Sequence, residues 1–453
     1  MGKVKRRIKF LPPLRRGKNV AVIFYYNNWN KNSINALISS IDQHLGYVSI
    51  YLIEGGLKDL LSSVRMLLNK YERLIVCFSF MTTYLALNYI HLKNILKQVK
   101  NEKVLLVAGG PHPSGDPWGT LELGFDYVVL GEGEKTLVEL LRVLVEKGDV
   151  LDVKGLAFLD NGVCVTTGRR RFIDINQYSP FPFWRGLLSP IEIARGCPYA
   201  CTFCQVSFLH GGVPRYRTVE NILLYAETAF SFGVKDLRFI SPNALGYGSS
   251  PYEKSPNIYS LYELLSKLRQ LADKYSGRIF FGSFPSEVRP EFVCEDALEI
   301  LRKNVDNRRL VIGAQSGSDE VLRKLNRGHT VEDVLHAVKI AMNYGFKVDV
   351  DFIFGLPFEE KEDVLETLNT IRKLIDLGAK IHAHVFLPLP GTPLSDFSTR
   401  ELEPSLKKEI FKLIGKGMLF GDWMKQEKLA KIIQDMREKQ LIRTNYTLKV
   451  FKG

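Results

Sequence analysis

The chain has 453 residues, 45% of them hydrophobic and 25% charged, which is ordinary globular usage and excludes a largely disordered protein. At about 100–200 residues per domain, two or three domains are expected, each with its own core. Lysine and arginine number 62 against 49 acids, a net charge of +13, and the six cysteines are too few for a disulfide scaffold; the basic surplus permits an anionic partner without requiring one.

Residues 1–18 hold eight cations and no acid and read as a solvated basic tail. Over residues 19–140, the runs Val20–Tyr26, Val48–Leu52, Leu74–Phe80, Val104–Ala108 and Tyr127–Leu130 are dense in Val, Ile, Leu and aromatics and predict strands. Helical patterns such as Ile34-Leu37-Ile38-Ile41 and Leu92-Ile95-Leu96-Val99 lie between them. Apolar strands alternating with helices predict a parallel sheet covered on both faces. Residues 141–188 read as a connector containing a hairpin, Lys154–Leu159 and Val163–Thr167 around Asp160-Asn161-Gly162. Ser179-Pro180-Phe181-Pro182 then marks a domain boundary.

A second alternating array fills residues 189–395, with strand-like runs at Pro190–Ala194, Leu237–Ser241, Arg278–Phe284, Leu310–Ser316, Val348–Gly355 and Ile381–Leu387. Each interval leaves room for a helix, so a partial (β/α)6 barrel is expected, with its reactive groups at the strand C-terminal ends. Residues 396–453 look helical and charged. The apolar stretch between Arg73 and Ile90 is interrupted by Ser79, Thr82, Thr83 and Asn88, so no membrane span is predicted. No small-residue cleavage site follows Val20–Tyr26, so no signal peptide is expected. With clustered thiols that need a reducing compartment, these features point to a cytoplasmic protein.

Cys197, Cys201 and Cys204 carry the strongest chemical signal, in the run Arg195-Gly196-Cys197-Pro198-Tyr199-Ala200-Cys201-Thr202-Phe203-Cys204. Three thiolates in a CxxxCxxC spacing can hold three irons of a 4Fe–4S cluster and leave the fourth open, whereas closed clusters and structural zinc use four ligands. His210, six residues on, is the one nearby group that would complete a zinc site instead.

This motif, following the apolar run Ile191–Ala194, resembles the radical S-adenosylmethionine (SAM) superfamily. The resemblance implies that Cys197, Cys201 and Cys204 hold a 4Fe–4S cluster. SAM would chelate the open iron and be cleaved, on one-electron reduction, to methionine and a 5′-deoxyadenosyl radical. The electron would come from an external donor such as flavodoxin or ferredoxin. Phe203 fits the family pattern before the third cysteine. The resemblance further implies SAM contacts from Ser241 and Asn243 after the second strand, although the usual Gly-Gly-Glu is absent. It places Ser283 after the third strand and Gln315, Ser316 and Arg327 around the fourth. Ile312–Ser318, Asn326-Arg327-Gly328-His329-Thr330, Phe354-Gly355-Leu356-Pro357 and Leu387-Pro388-Leu389-Pro390-Gly391-Thr392-Pro393 are similar to the methylthiotransferase and cobalamin-dependent branches, with Gln315 replacing their glutamate.

The N-terminal half resembles the cobalamin-binding domain that precedes many of these barrels. Its loops Ala108-Gly109-Gly110-Pro111-His112-Pro113 and Gly131-Glu132-Gly133 follow strands, where doubly wound sheets bind ligands. The implied cobalamin contacts are Asn27, Ser79, Gly109, Gly110, His112, Gly131, Glu132 and Gly133. The family's cobalt-ligating Asp-x-His-x-x-Gly is missing, since the first loop reads Tyr25-Tyr26-Asn27-Asn28-Trp29-Asn30.

The fold class expected is therefore α/β: a doubly wound Rossmann-like domain, a partial (β/α)6 barrel of the TIM type and a helical C-terminal region. The function expected is a cobalamin-dependent radical SAM methyltransferase acting on an unactivated carbon. Alternatives are non-methylating cyclisation or rearrangement, and methylthiolation, although that family carries further N-terminal cysteines and here only Cys77 and Cys164 precede the barrel. A non-catalytic iron–sulfur protein that binds nucleic acid or senses redox state is the alternative of another class. The substrate, whether lipid, peptide, tRNA or small molecule, is not legible, and no side chain is assigned a catalytic role.

Overall fold

The computed structural model describes residues 8–15, 19–444 and 448–451, so residues 1–7 and 16–18 of the basic tail lie outside the described residues. Two compact units emerge: residues 1–189, 389–391 and 435–453 form one, and residues 190–388 and 392–434 form the other.

The first unit is a nine-stranded sheet. Its strands are β1 (Ile8–Leu11), β2 (Val20–Tyr26), β3 (Ser49–Glu54), β4 (Arg73–Ser79), β5 (Val104–Gly109), β6 (Tyr127–Val129), β7 (Leu156–Asp160) and β8 (Val163–Thr166), with a C-terminal β18 (Lys449–Val450). The order is β1-β3-β2-β4-β5-β6-β7-β8-β18, and β3, β2, β4, β5 and β6 run parallel. Both faces of these strands are covered; Val22, Phe24, Ile50, Leu52, Ile75 and Val107 are buried beneath the helices Lys31–His44 and Gly133–Glu146. The second of these helices buries Leu137, Leu140, Leu141 and Leu144 on one stripe, the spacing of a helix laid on a core.

Two expectations change here. Ile8–Leu11, read as part of the basic tail, pairs antiparallel with β3 as an edge strand. Residues 141–188, read as a connector, instead end the helix Gly133–Glu146 and then extend the sheet through β7 and β8. The hairpin turn sits where expected, with Asn161 and Gly162 both at positive φ, as a two-residue connection that matches strand twist demands.

The second unit is an open parallel barrel. Its strands are β9 (Ile191–Glu192), β10 (Ala194–Arg195), β11 (Arg215–Tyr216), β12 (Asp236–Ile240), β13 (Arg278–Phe280), β14 (Arg309–Gln315), β15 (Lys347–Phe354), β16 (Lys380–Val385) and β17 (Leu419–Phe420). β9, β12 and β13 form one parallel arc and β14 to β17 a second. A parallel bridge between Val288 and Ile312 links the segment after β13 to β14. The C-terminal segment holds the helices Pro404–Gly415 and Trp423–Glu438, as its composition predicts, but also supplies β17. No helix among the described residues is long and apolar enough to cross a membrane.

Candidate functional site

In the barrel unit, the cysteine loop leaves β10 through Gly196, held at φ +92° with Val213 O only 2.6 Å from where a Cβ would stand. The next residue is thereby set: Cys197 N–H donates to Gly211 O at 3.0 Å, and Ser207 Oγ donates to Cys197 O at 2.8 Å. Ala200 takes a positive φ to carry the chain to Cys201, and Cys204 N–H donates back to Cys201 O at 2.9 Å.

Two cations and a backbone amide are directed at the sulfurs, against the burial that opposes their ionisation. Arg327 Nη1 lies 3.4 Å and Arg289 Nη1 4.0 Å from the buried Cys201 Sγ. Val206 N–H points at Cys204 Sγ at 3.5 Å. Burial pushes the Cys197 thiol up, partly offset by an amide hydrogen bond from Tyr199 and by Arg289 and Arg327. Burial likewise lifts Cys204 to about 11. Such thiols stay protonated until a metal centre displaces the protons, because iron binds the thiolate form. Arg289 is itself fixed by Glu291 at 2.6 Å and by the Tyr199 ring, whose centroid is 3.4 Å from its guanidinium carbon. His210 lies within electrostatic reach of the Glu192 carboxylate. Among the described residues, the one group of three or more His, Cys, Asp or Glu donors drawn within 4.8 Å of each other is elsewhere, at Asp351, His382 and His384. The donor set at the loop is three thiols, with Arg289 and Arg327 beside Cys201, and sulfur donors flanked by cations fit an anionic cluster.

The residues expected to contact SAM divide into three groups. Ser241 and Asn243 line a pocket together with Cys197 and Tyr199. Ser241 Oγ donates to Asn243 O at 2.8 Å, and Asn243 Oδ1 accepts from Arg289 N–H at 3.2 Å. Gln315 and Arg327 converge on Gly313, where an added Cβ would meet Gln315 Nε2 at 2.7 Å, Glu287 Oε2 at 3.2 Å and Arg327 Nη2 at 3.3 Å. Gln315 sits in a bulge of β14 at φ +76°, a conformation side chains rarely adopt and one that clusters at functional sites. Ser283 Oγ and Arg327 Nε are buried without a partner among the described residues. The other two residues point elsewhere. Ser316 is buried against Thr367, 3.4 Å between hydroxyls, and accepts from Ser318 N–H. Phe203 packs into an apolar cluster with Leu325 and Phe386.

Glu287 is open to solvent yet ringed by protein, the condition of a group facing an interior cavity. Desolvation and its neighbour Asp351 lift its carboxyl to about 7.

In the sheet unit, the parallel order β3-β2-β4-β5-β6 reverses direction between β2 and β4. Doubly wound sheets bind ligands at that switch point, outside the strand C-terminal ends. Asn27 follows β2 there, with Nδ2 buried and unpartnered among the described residues. Ser79, ending β4, shares a 3.1 Å contact with Ser33 Oγ. Asn30 Nδ2 ties the two strand ends by donating to Tyr25 O at 2.9 Å and Ser79 O at 3.1 Å. Gly110 has φ +95°, and a Cβ would meet Ser79 Oγ at 2.9 Å and Phe80 N at 3.1 Å. Gly109 pairs with Ser79 across β4 and β5. Gly131 N–H donates to Ser114 Oγ at 3.0 Å, and Gly133 opens a helix against Leu37. The Glu132 carboxylate accepts from Ile173 N–H at 3.0 Å.

His112 departs from expectation. It is fully buried, 3.0 Å from Thr82 Oγ1 and stacked on Phe80, and burial lowers it to about 3. The single turn Pro111–Gly115 rotates it into the core, so it offers no surface to a ligand. Neighbours not anticipated from sequence are Asn30, Ser33 and the stacked pair Trp29 and Tyr84, ring centroids 4.5 Å apart. The Tyr84 hydroxyl is buried beside Tyr25. The unsatisfied Asn27 amide and the close-approach glycine fit a large polar ligand such as cobalamin.

Comparison with known proteins finds a match in each of the two units. Residues 191–371 match the radical SAM superfamily and residues 24–141 match the B12 binding domain. An uncharacterised protein of Methanocaldococcus jannaschii is 28% identical over 353 residues, 68% of each chain. A tRNA-2-methylthio-N(6)-dimethylallyladenosine synthase of Sulfurihydrogenibium is 27% identical over 264 residues, 57% of this chain and 55% of that one. The structure of the radical SAM methyltransferase TsrM from Kitasatospora setae, with cobalamin and a 4Fe–4S cluster bound, superposes with a TM-score of 0.66 at 16% identity, covering 83% of this chain and 74% of that one; that likeness is one of fold. The chain belongs to the radical SAM superfamily, in the branch with an N-terminal B12-binding domain, and is a cobalamin-dependent radical SAM enzyme whose cofactors are a 4Fe–4S cluster, SAM and cobalamin.

Proposed function

We propose that this enzyme methylates an unactivated carbon of its substrate. When bound, the cluster and cobalamin supply reductive SAM cleavage and methyl transfer, chemistry that reaches a C–H bond no general base can ionise. Cys197, Cys201 and Cys204 would hold the cluster, and Arg289 and Arg327 would offset its negative charge. Ser241, Asn243, Gln315 and Arg327 would orient SAM by hydrogen bonds. Asn27, Ser79 and the Gly109–Gly110 and Gly131–Gly133 loops would seat cobalamin. The barrel lumen would exclude water from the reacting carbon.

The thiol inventory is the observation that carries methyl transfer over methylthiolation. Cys77 and Cys164, the two cysteines N-terminal to the barrel, are single buried thiols in β4 and β8. Desolvation pushes both thiols up, Cys164 to about 12. With two thiols, this half of the chain is short of the three or more that a second cluster would take from it.

The test needs no substrate. Protein reconstituted anaerobically with iron, sulfide and cobalamin is reduced in the presence of SAM bearing a trideuterated methyl group. Trideuterated methylcobalamin and 5′-deoxyadenosine are expected by mass spectrometry. A loaded enzyme that forms 5′-deoxyadenosine but never labels the corrinoid would overturn the methyltransferase reading.

A further inference from the structure

The barrel unit contains a second cluster of donors that the radical chemistry leaves unused. Asp351 on β15 and His382 and His384 on β16 meet on one face of the sheet, since parallel pairing sets Asp351 opposite His382 and side chains two apart share a face. Asp351 is buried, while each imidazole keeps about a third of its surface open, 31% and 30%. His382 is held flat by Phe420 of β17, ring centroids 4.6 Å apart and 7° from parallel.

The separations are those of ligands around one ion. His382 Nδ1 to Asp351 Oδ1 is 2.9 Å, His384 Nε2 to His382 Nδ1 is 3.2 Å, and His384 Nε2 to Asp351 Oδ1 is 4.0 Å. A point equidistant from the corners of that triangle lies about 2.0 Å from each, the bond length of zinc to imidazole nitrogen and carboxylate oxygen, and a small rotation of the partly exposed His384 closes the wide angle to Asp351 that tetrahedral binding does not allow. Hydrogen bonds fill the triangle poorly. His382 Nδ1 lies within reach of both other atoms but offers either one proton or one lone pair. Two imidazoles and a carboxylate with open positions left over make the donor set of zinc or iron(II) sites that admit a further ligand.

We propose that Asp351, His382 and His384 bind one divalent first-row ion of the zinc or iron(II) class, with an open coordination position for an oxygen or nitrogen of the substrate. Gln426 controls the site. Its Oε1 accepts from Val385 N–H at 2.7 Å, which turns its amide nitrogen to His384 Nδ1 at 3.3 Å. That contact favours the proton on Nε2, so ion binding must move the proton to Nδ1 and turn the Gln426 amide. Metal-bound histidines do the reverse in their resting state, donating the other ring N–H to a carboxylate or carbonyl. Glutamate at position 426 would accept that proton and tighten the site.

The experiment uses protein with its cluster and cobalamin loaded. Anaerobic equilibrium dialysis against cobalt(II), with metals counted by plasma mass spectrometry, should show two cobalts per chain, one carried by cobalamin and one retained at the new site. Asp351→Asn and His384→Gln should each weaken retention at least tenfold, with circular dichroism unchanged. Gln426→Glu should strengthen it about tenfold, the size of effect outer-shell partners have; a merely structural role for these residues predicts no such gain. A chain in which Cys197, Cys201 and Cys204 are all alanine should bind cobalt as before. No cobalt beyond that of cobalamin in the parent protein, equal retention in His384→Gln, or loss only in the cysteine variant would each overturn the proposal.

Discussion

Gly196→Ala places a methyl group where the cysteine loop has no room for one. The residue has φ +92°, and the new carbon would stand 2.6 Å from Val213 O and 3.2 Å from His210 O. The left-handed backbone costs an L residue about 1–2 kcal/mol. Restoring an ordinary 3.4 Å to Val213 O requires a shift of about 0.8 Å, because backbone and not a flexible side chain is in the way. Ligand sets tolerate displacement of about 0.5 Å, and the residue that moves next is Cys197. Gly345→Ala in the same unit is the control: it sits at φ +80° with nothing within 4 Å of an added carbon, so it carries the conformational cost without the clash. Iron and sulfide counted after identical anaerobic reconstitution should fall below half in Gly196→Ala and stay at the parent value in Gly345→Ala, both with unchanged circular dichroism. Full loading of Gly196→Ala would refute the claim that this glycine sets the ligand geometry.

Further outcomes follow from the same geometry. Gly110→Ala, whose new carbon would meet Ser79 Oγ at 2.9 Å and Phe80 N at 3.1 Å, should weaken cobalamin binding at least tenfold in an absorbance titration, with cluster content unchanged. Arg327→Met removes the cation 3.4 Å from Cys201 Sγ and the donor 2.6 Å from Gly313 O. It should make the cluster potential more negative in a redox titration, and leaving that buried carbonyl unpaired should cost about 1–3 kcal/mol of stability. His112 has a folded pKa near 3, below its unfolded 6.5. It therefore binds fewer protons folded than unfolded between those values, and its contribution to stability falls as pH drops through that window. Asp116, raised to about 7 by burial, acts in the opposite sense between its unfolded 3.8 and that value. The difference between parent and His112→Asn reports the histidine together with its coupling to Asp116, 3.9 Å away: near pH 5 the parent should lose about 1.4 kcal/mol more per pH unit on acidification, measured by urea unfolding.

What was legible in the sequence is what local spacing encodes. The three cysteines lie within eight residues, and the strand–helix alternation of both units is a short-range pattern, so each could be read directly. The groups that tune the cluster are not local. Arg289 and Arg327 reach Cys201 from 88 and 126 residues away, and only the curvature of the two strand arcs brings them together. The hairpin of β7 and β8 was visible as a hairpin, but strand pattern does not say which edge a hairpin joins, and it pairs with β6. Ser316 and His112 were drawn into the candidate sites by their neighbours. A bulge at Gln315 turns the following serine towards Thr367, and a one-turn helix buries the histidine. The Asp351, His382 and His384 group was missed because its members lie on two strands about thirty residues apart, with no motif spanning them.

The account rests on an iron that the protein leaves for SAM. Electron paramagnetic resonance of the reduced, reconstituted enzyme tests this most directly. Adding SAM should shift the g-values of the 4Fe–4S signal in the parent protein, and replacing any one of Cys197, Cys201 or Cys204 with alanine should remove that SAM-responsive signal. Identical spectra with and without saturating SAM, from protein holding four irons and four sulfides per chain, would mean that the fourth iron is already filled and would contradict it.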